Sequence, residues 1–245
     1  MKLESTAQIV DFSPFKTRTE ADASMDLGAV ARLADRRTFR YIVAGASNIS
    51  KGKLQQAAAP IANHANLTVA AAALNATQIT VTPGATAGAA NLYSEGYMAV
   101  NDVDGEGAVY KISGHPAIVA STAFVLDLFD PIIGTALTAN SQVTLVHNGC
   151  KNVIEVATSL HRPAGVPLIS ISAGDYGWCQ SSGVAAVLAG TTRTLGADQI
   201  SSGATAGAVV DRTDALGASA EVVVGVADII AGVDTEYNPM TLTID

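Results

Sequence analysis

Four histidines and two cysteines are the side chains best suited to hold a metal, and two of them share one motif, His147-Asn-Gly-Cys150. Imidazole and thiolate suit zinc in a closed tetrahedron, with His161 and Cys179 as completing ligands. Those two stand eighteen residues apart, a spacing foreign to compact zinc modules. A strand end, a Gly turn and unrelated buried thiols account for the residues better. Asn101-Asp-Val-Asp-Gly-Glu-Gly107 sets alternating carboxylates before a glycine, as a hard cation prefers. The twelfth position from Asp102 is Ser113, where a bidentate Glu is needed. A tight hairpin at Asp104-Gly105 is therefore expected, with weak calcium binding as the alternative. Nucleophilic catalysis finds no foothold, because G-x-S-x-G, H-E-x-x-H and a Gly-rich loop ending in Lys-Ser/Thr are all missing. His64 reads as linker, and His115, followed by Pro116, as turn. The expectation is a protein that is not an enzyme, with no catalytic residue, metal or cofactor.

Charge is distributed unevenly. Residues 1–56 hold nine of the fourteen cations and six of the twenty-two acids, a net of +3; the remainder is −11. A cationic, polar front on an acidic body suits a docking arm more than an enzyme with one cleft. Arg36-Arg37-Thr-Phe-Arg40-Tyr41 interleaves cations with aromatics, as single-stranded nucleic-acid binders do. The chain as a whole is acidic and the cluster short, so a strand edge that pairs with an acidic protein surface is preferred, and no nucleic acid is expected. On such a strand Arg37, Phe39 and Tyr41 share one face, and Thr38, Arg40 and Ile42 the other.

The elements that must carry these residues are strands. Apolar residues make up 49% of the chain but aromatics only 5%, so the core is expected to be Val, Ile, Leu and Ala, with stability helped by assembly. The single Trp178 reads as a core anchor. No apolar run is long enough to span a membrane, no signal peptide is evident, and the two cysteines suit a reducing cytoplasm. The first forty residues lack sustained periodicity. Phe12 and Phe15 flank the stiff Pro14, and Ser24 is placed to cap a short helix through Arg36, which Gly28 weakens. Phe39–Gly45 reads as the first strand.

From His64 onward the period is two, broken by Gly, Pro, Asn and Asp. Strands are expected at Leu67–Ala72, Gln78–Thr82, Tyr97–Asn101, Ala108–Ser113, Val119–Leu128, Gln142–His147 and Val153–Thr158. A second block follows at Val166–Ser172, Tyr176–Gln180, Val184–Leu188, Glu221–Val226 and Met240–Ile244, with Ala189–Ala220 mostly loop and short strands. The fold class is mainly β: a barrel or sandwich body of two β subdomains with an extended N-terminal arm. The divisions are 1–56 (docking arm and first strand), 57–163 (middle domain, independent or inserted between two halves of one barrel) and 164–245 (C-terminal β domain).

Several stretches together resemble the head decoration, or capsid cement, proteins of tailed bacteriophages. They are Arg37-Thr-Phe-Arg-Tyr-Ile-Val-Ala-Gly with Gly52-Lys-Leu-Gln, Gly96-Tyr-Met-Ala-Val-Asn-Asp, Gly105-Glu-Gly-Ala-Val-Tyr-Lys-Ile with His115-Pro116, and Gly165-Val-Pro-Leu. Tyr176-Gly-Trp-Cys-Gln, Gly183-Val-Ala-Ala-Val-Leu-Ala and Val224-Gly-Val-Ala-Asp continue the series. The similarity spans most of Phe39–Asp245 in short segments, and Cys179 stands where an aliphatic residue is expected. The resemblance implies a structural virion protein, made in the host cytoplasm, that sits on the outer capsid surface as a homotrimer. It would bind the major capsid protein and stabilise the expanded shell. Phe12, Phe15, Arg36, Arg37, Phe39, Arg40 and Tyr41 would carry docking. The alternatives are a tail- or fibre-associated β protein and a carbohydrate- or calcium-binding module at Asn101–Gly107.

Overall fold

The computed structural model describes residues 12–22, 24–157, 161–212 and 222–245. It is mainly β, as the alternation predicts. The strands run β1 (Val30–Arg32), β2 (Thr38–Val43), β3 (Gln55–Gln56), β4 (Leu67–Val69), β5 (Gln78–Thr82), β6 (Tyr97–Asp102), β7 (Val109–Gly114), β8 (Phe124–Leu128) and β9 (Gln142–Val146). After these come β10 (Ile154–Glu155), β11 (Pro163–Pro167), β12 (Tyr176–Leu188), β13 (Asp198–Ser201), β14 (Val209–Asp211), β15 (Gly225–Val226) and β16 (Tyr237–Thr243). A single 3-10 turn, Ala62–His64, is the one helical element among the described residues.

Two compact units emerge. The first is Ala59–Asn148; the second joins the described residues before Ala59 to those after Asn148. The first unit ends well before residue 163 because β10 pairs with β3 and so belongs with the flanks. Thr158 and Glu221, at the ends of two expected strands, lie outside the described residues, as do residues 1–11 of the expected arm.

The first unit is a closed antiparallel barrel in the order β4-β5-β8-β7-β6-β9, with β9 returning to β4. Alternation dictates its core. In β5 Ile79 and Val81 point inward while Gln78, Thr80 and Thr82 face out, and Met98, Ile112, Leu126 and Val143 complete the same buried cluster. Burying each such side chain contributes about 1.5–3 kcal/mol. The Asp104-Gly105 hairpin is present between β6 and β7: Val103, Gly105 and Gly107 all take positive φ, and the Gly107 amide donates to the Val100 carbonyl. The expected strand at Val119–Leu128 begins only at Phe124, since Ser121 takes a φ of 53° in a turn.

In the second unit everything pairs around β12, a 13-residue strand where two shorter ones were expected. Its first half pairs with β2 on one edge and β11 on the other; its second half pairs with β16. Two sheet circuits result. One runs β2-β12-β11-β3-β10 and returns to the end of β2 through an Ala44–Val153 bridge. The other runs β12-β16-β15-β13-β14 and returns just past β12 through an Ala189–Val209 bridge. Each has its own cluster: Ile42, Ala44, Val153, Ala164 and Cys179 in the first, and Leu54, Val187, Val209, Val224, Met240 and Leu242 in the second.

The helix expected from Ser24 to Arg36 is not formed; β1 and turns occupy the segment. Gly28 and Arg36 have φ of 89° and 71°, which no α-helix accommodates. Ser24 donates to Asp22 instead of capping a helix, and Asp35 accepts from the Arg37 amide. These carboxylates build local turns that compete with helix.

The passage of β12 from β2 to β16 depends on Gly183. The β2 register shifts between Gln180 and Ser182, and Gly183 sits at φ 84°, where a Cβ would meet the Arg37 Cα at 3.1 Å and the Arg36 carbonyl oxygen at 3.3 Å. Gly183→Val should therefore lower stability by about 1–3 kcal/mol, read as a reduced urea midpoint, with Gly183→Ala milder. An unchanged midpoint would show that the bulge is not a constraint.

Candidate functional site

The predicted docking residues all fall in the second unit, on β2 and in the segments that precede β1 and β2, and they divide into two sets. Alternation along β2 sends Phe39 and Tyr41 to one face and Ile42 to the other. Both faces of the strand are covered. Phe39 and Tyr41 are buried, with Trp178 and Ala31, beneath Met25, Leu27 and Leu33. Phe12 joins them, its ring centroid 5.3 Å from Phe39 and edge-on to Trp178 at 4.9 Å. Tyr41 lies 5.3 Å from Trp178 and stacks on Tyr176 at 5.8 Å. Offset and edge-on pairs of this kind each add about 0.5–1.5 kcal/mol beyond area burial.

Phe12, Phe39 and Tyr41 therefore hold the front segment onto the body in this structure and do not present themselves to a partner. Sequence periodicity missed this because the covering residues come from irregular turns. Trp178 is 4% exposed at the centre of the cluster. Burial pushes the Tyr41 hydroxyl above the usual tyrosine range, and that oxygen accepts the Asp22 amide at 3.2 Å.

The other set faces outward. Phe15 is 64% exposed, and Arg32 and Arg36 are exposed at the end of the β1–β2 hairpin. Arg37 pairs with Asp35 at 2.7 Å and lies over the Phe39 ring at 5.8 Å. Arg40 donates from Nε and Nη2 to Asp245 at 2.9 and 2.8 Å and from Nη1 to the Gly28 carbonyl at 3.2 Å. Ser181 also donates to Asp245. Arg18 pairs with Asp22 at 2.7 Å, and its backbone exchanges two hydrogen bonds with Tyr176. β1 pairs with β2 and with no other strand among the described residues. The Leu33 amide donates to the Arg37 carbonyl and the Tyr41 amide to that of Ala29. In an antiparallel ladder this alternation turns the amides and carbonyls of Val30 and Arg32 away from β2. The result is a strand edge left unpaired among the described residues, with arginines along and beside it.

The residues weighed for metal chemistry separate. His147 lies in the barrel unit, whereas Cys150, His161 and Cys179 lie in the other. Both cysteines are free thiols, and burial, helped by the nearby Cys150, pushes the Cys179 thiol up. In the hairpin after β6, Asp102 accepts its own neighbour's amide and Asp104 accepts the Thr138 hydroxyl at 2.8 Å. Among the described residues no group of three or more His, Cys, Asp or Glu side chains is arranged to hold a metal.

No family model, curated protein or solved structure matches this chain.

Two polar groups escaped the sequence reading. His64 and His115, read as linker and turn, are buried together against Tyr93 and His147. Arg193 is 1% exposed, with Nη2 on the Asn238 carbonyl and Nη1 on the Met240 sulfur; burial lowers its affinity for the proton. Neither has a sequence signature, because each is defined by loops that meet only in the fold.

The Arg40–Asp245 contact has a definite pH sign. Burial alone would raise the Asp245 carboxyl, but hydrogen bonds from Arg40 and Ser181 and the charges of Arg40 and Arg32 outweigh it, and the group is lowered. Its contribution is thus present above the ordinary aspartate value, about 3.9, and is lost as pH falls through the lowered folded value. Asp245→Asn should cost about 0.5–1 kcal/mol at pH 7 in urea unfolding, a difference that shrinks below pH of about 4. A difference constant with pH would place the effect elsewhere than in the ion pair.

Proposed function

We propose that this chain is a structural virion protein that docks on the outer surface of a phage capsid and stabilises the expanded shell. The observation that supports this most is the β1 edge, unpaired among the described residues and flanked by Arg32, Arg36, Arg37 and Arg40, on a protein whose net charge is −8. A one-sided strand with cationic margins suits an extended, acidic segment of a partner protein, which adds main-chain hydrogen bonds along the edge while the charges set register and approach. The aromatic cluster beneath holds that edge in place before binding, so less ordering entropy is lost on docking. A ligand that binds only the expanded lattice stabilises it by mass action. Assembly as a homotrimer and recognition of the major capsid protein belong to the same proposal. So does the absence of catalytic chemistry.

Phe15 and the arginines, not Phe39 and Tyr41, are the residues to alter. Removing everything through Asp35 would strip β1 and Phe12 from the second unit and expose Trp178, so lost binding would not separate docking from unfolding. Arg32→Glu combined with Arg36→Glu changes only exposed side chains. It should weaken binding to expanded capsids at least about tenfold at low salt, with an unchanged circular dichroism spectrum. Wild-type affinity in this variant would sink the docking edge. Quantitative mass spectrometry of purified virions addresses the role directly: near-stoichiometry with the capsid protein is expected. A handful of copies would move the protein to the tail or a vertex, and absence would overturn the virion reading.

A further inference from the structure

The barrel unit gathers three of the four histidines around one tyrosine. Tyr93 sits fully buried in the turn before β6, and its hydroxyl is 2.6 Å from His64 Nδ1. His64 Nε2 faces the Thr86 carbonyl at 2.8 Å. A carbonyl only accepts, so Nε2 carries the proton and Nδ1 accepts from the tyrosine. This contact can adapt, because a hydroxyl can turn and become the acceptor.

His115 has no such freedom. Its Nδ1 lies 2.7 Å from the Pro116 carbonyl and must donate. Its Nε2 accepts the backbone amide of Tyr93 at 3.0 Å, and a backbone amide only donates. Both ring nitrogens are therefore fixed, one as donor and one as acceptor, in the neutral Nδ1–H form. A second proton on Nε2 would point one N–H at another, and Tyr93, which carries that amide, is fully buried. The same turn is tied to His115 twice more: the His115 amide donates to Asn91 Oδ1, and the Asn91 amide to the His115 carbonyl, both at 3.0 Å.

We propose that His115 is an acid-sensitive latch: uptake of one proton by its imidazole breaks the contact with the Tyr93 amide and opens the turn at 91–96 from the barrel. The groups around it come from every neighbouring element. His64 stands on the 3-10 turn, His147 follows β9 with its ring 4.5 Å from Tyr93, and Phe124 of β8 packs edge-on to His115 at 5.7 Å. Glu95 is carried by the Tyr93 turn itself. Lys111 of β7 lies over the Phe129 ring, and Asp127 of β8 accepts from Gln78 at 2.7 Å. The folded barrel holds this imidazole without the second proton, whereas the unfolded chain takes it up near the ordinary histidine value, about 6.5. The turn is therefore closed above that pH and weakens as pH falls below it, by at most about tenfold per pH unit for one proton.

Hydrogen exchange of the full chain at pH 7.5 and 5.0, corrected for intrinsic rates, reads the latch directly. Peptides covering 89–96 should lose protection at pH 5.0 by about tenfold or more, while peptides of β12 hold theirs. His115→Gln can keep both hydrogen bonds, with an amide oxygen facing Tyr93 and an NH2 facing Pro116, and cannot titrate. In that variant the pH-dependent loss at 89–96 should vanish; His161→Gln, in the other unit, should leave it intact. An equal loss in His115→Gln would overturn the proposal, as would full protection of wild type at pH 5.0. Nitrogen-15 spectra of the His115 ring keep the test decisive if His115→Gln does not fold. A neutral Nδ1–H ring while the turn is closed is expected, and a ring charged with the turn still protected would refute the latch.

Discussion

The second unit depends on one strand being shared. β12 supplies the central ladder to two sheet circuits, so its 13 residues carry pairings that would ordinarily need two strands. The constraint is geometric: a strand can change partners midway only where its backbone leaves the regular pleat, and Gly183 at φ 84° is that point. On one side of it lie the Trp178 aromatics and the Cys179 cluster; on the other lie Ala185 and Val187. β1 lies at the margin of the described sheet because the other side of β2 is anchored to the first half of β12.

How much of this was legible depended on whether the signal was local. β5 was read to the residue, because Gln-Ile-Thr-Val-Thr alternates cleanly and one face is buried. The same rule placed Phe39 and Tyr41 on one face of β2. It did not say what covers that face, since Phe12, Met25 and Leu27 come from turns with no period. The two expected strands are one because Gly183, which reads as an interruption, continues the ladder to β16 just past a register shift at Ser181. The false helix came from Ser24 and a run of apolar spacings, and it was overruled by Asx turns at Asp22 and Asp35, a chemistry that spacing counts do not register.

The candidate sites show the same division. Arginines of the front segment were visible from the charge split, and Arg32, Arg36, Arg37 and Arg40 border a strand with one partner among the described residues. The histidine group was invisible, because His64, His115 and His147 approach one another only when the barrel closes. The ring partners of His64 and His115 include a backbone amide, two carbonyls and the Tyr93 hydroxyl, which no motif records.

The barrel's place in the chain bears on the order of folding. β2 and β12 form the central ladder of the second unit, yet Ala59–Asn148 intervenes between them in sequence. Were that stretch a flexible loop, closing it would carry an entropic cost that grows by about 0.6 kcal/mol for each doubling of length. The barrel's pairings all lie within the stretch, so it can condense first and remove most of that conformational freedom before the flanks meet. Damage to the barrel would then appear as slow assembly of the other unit, with the stability of that unit's own ladder untouched.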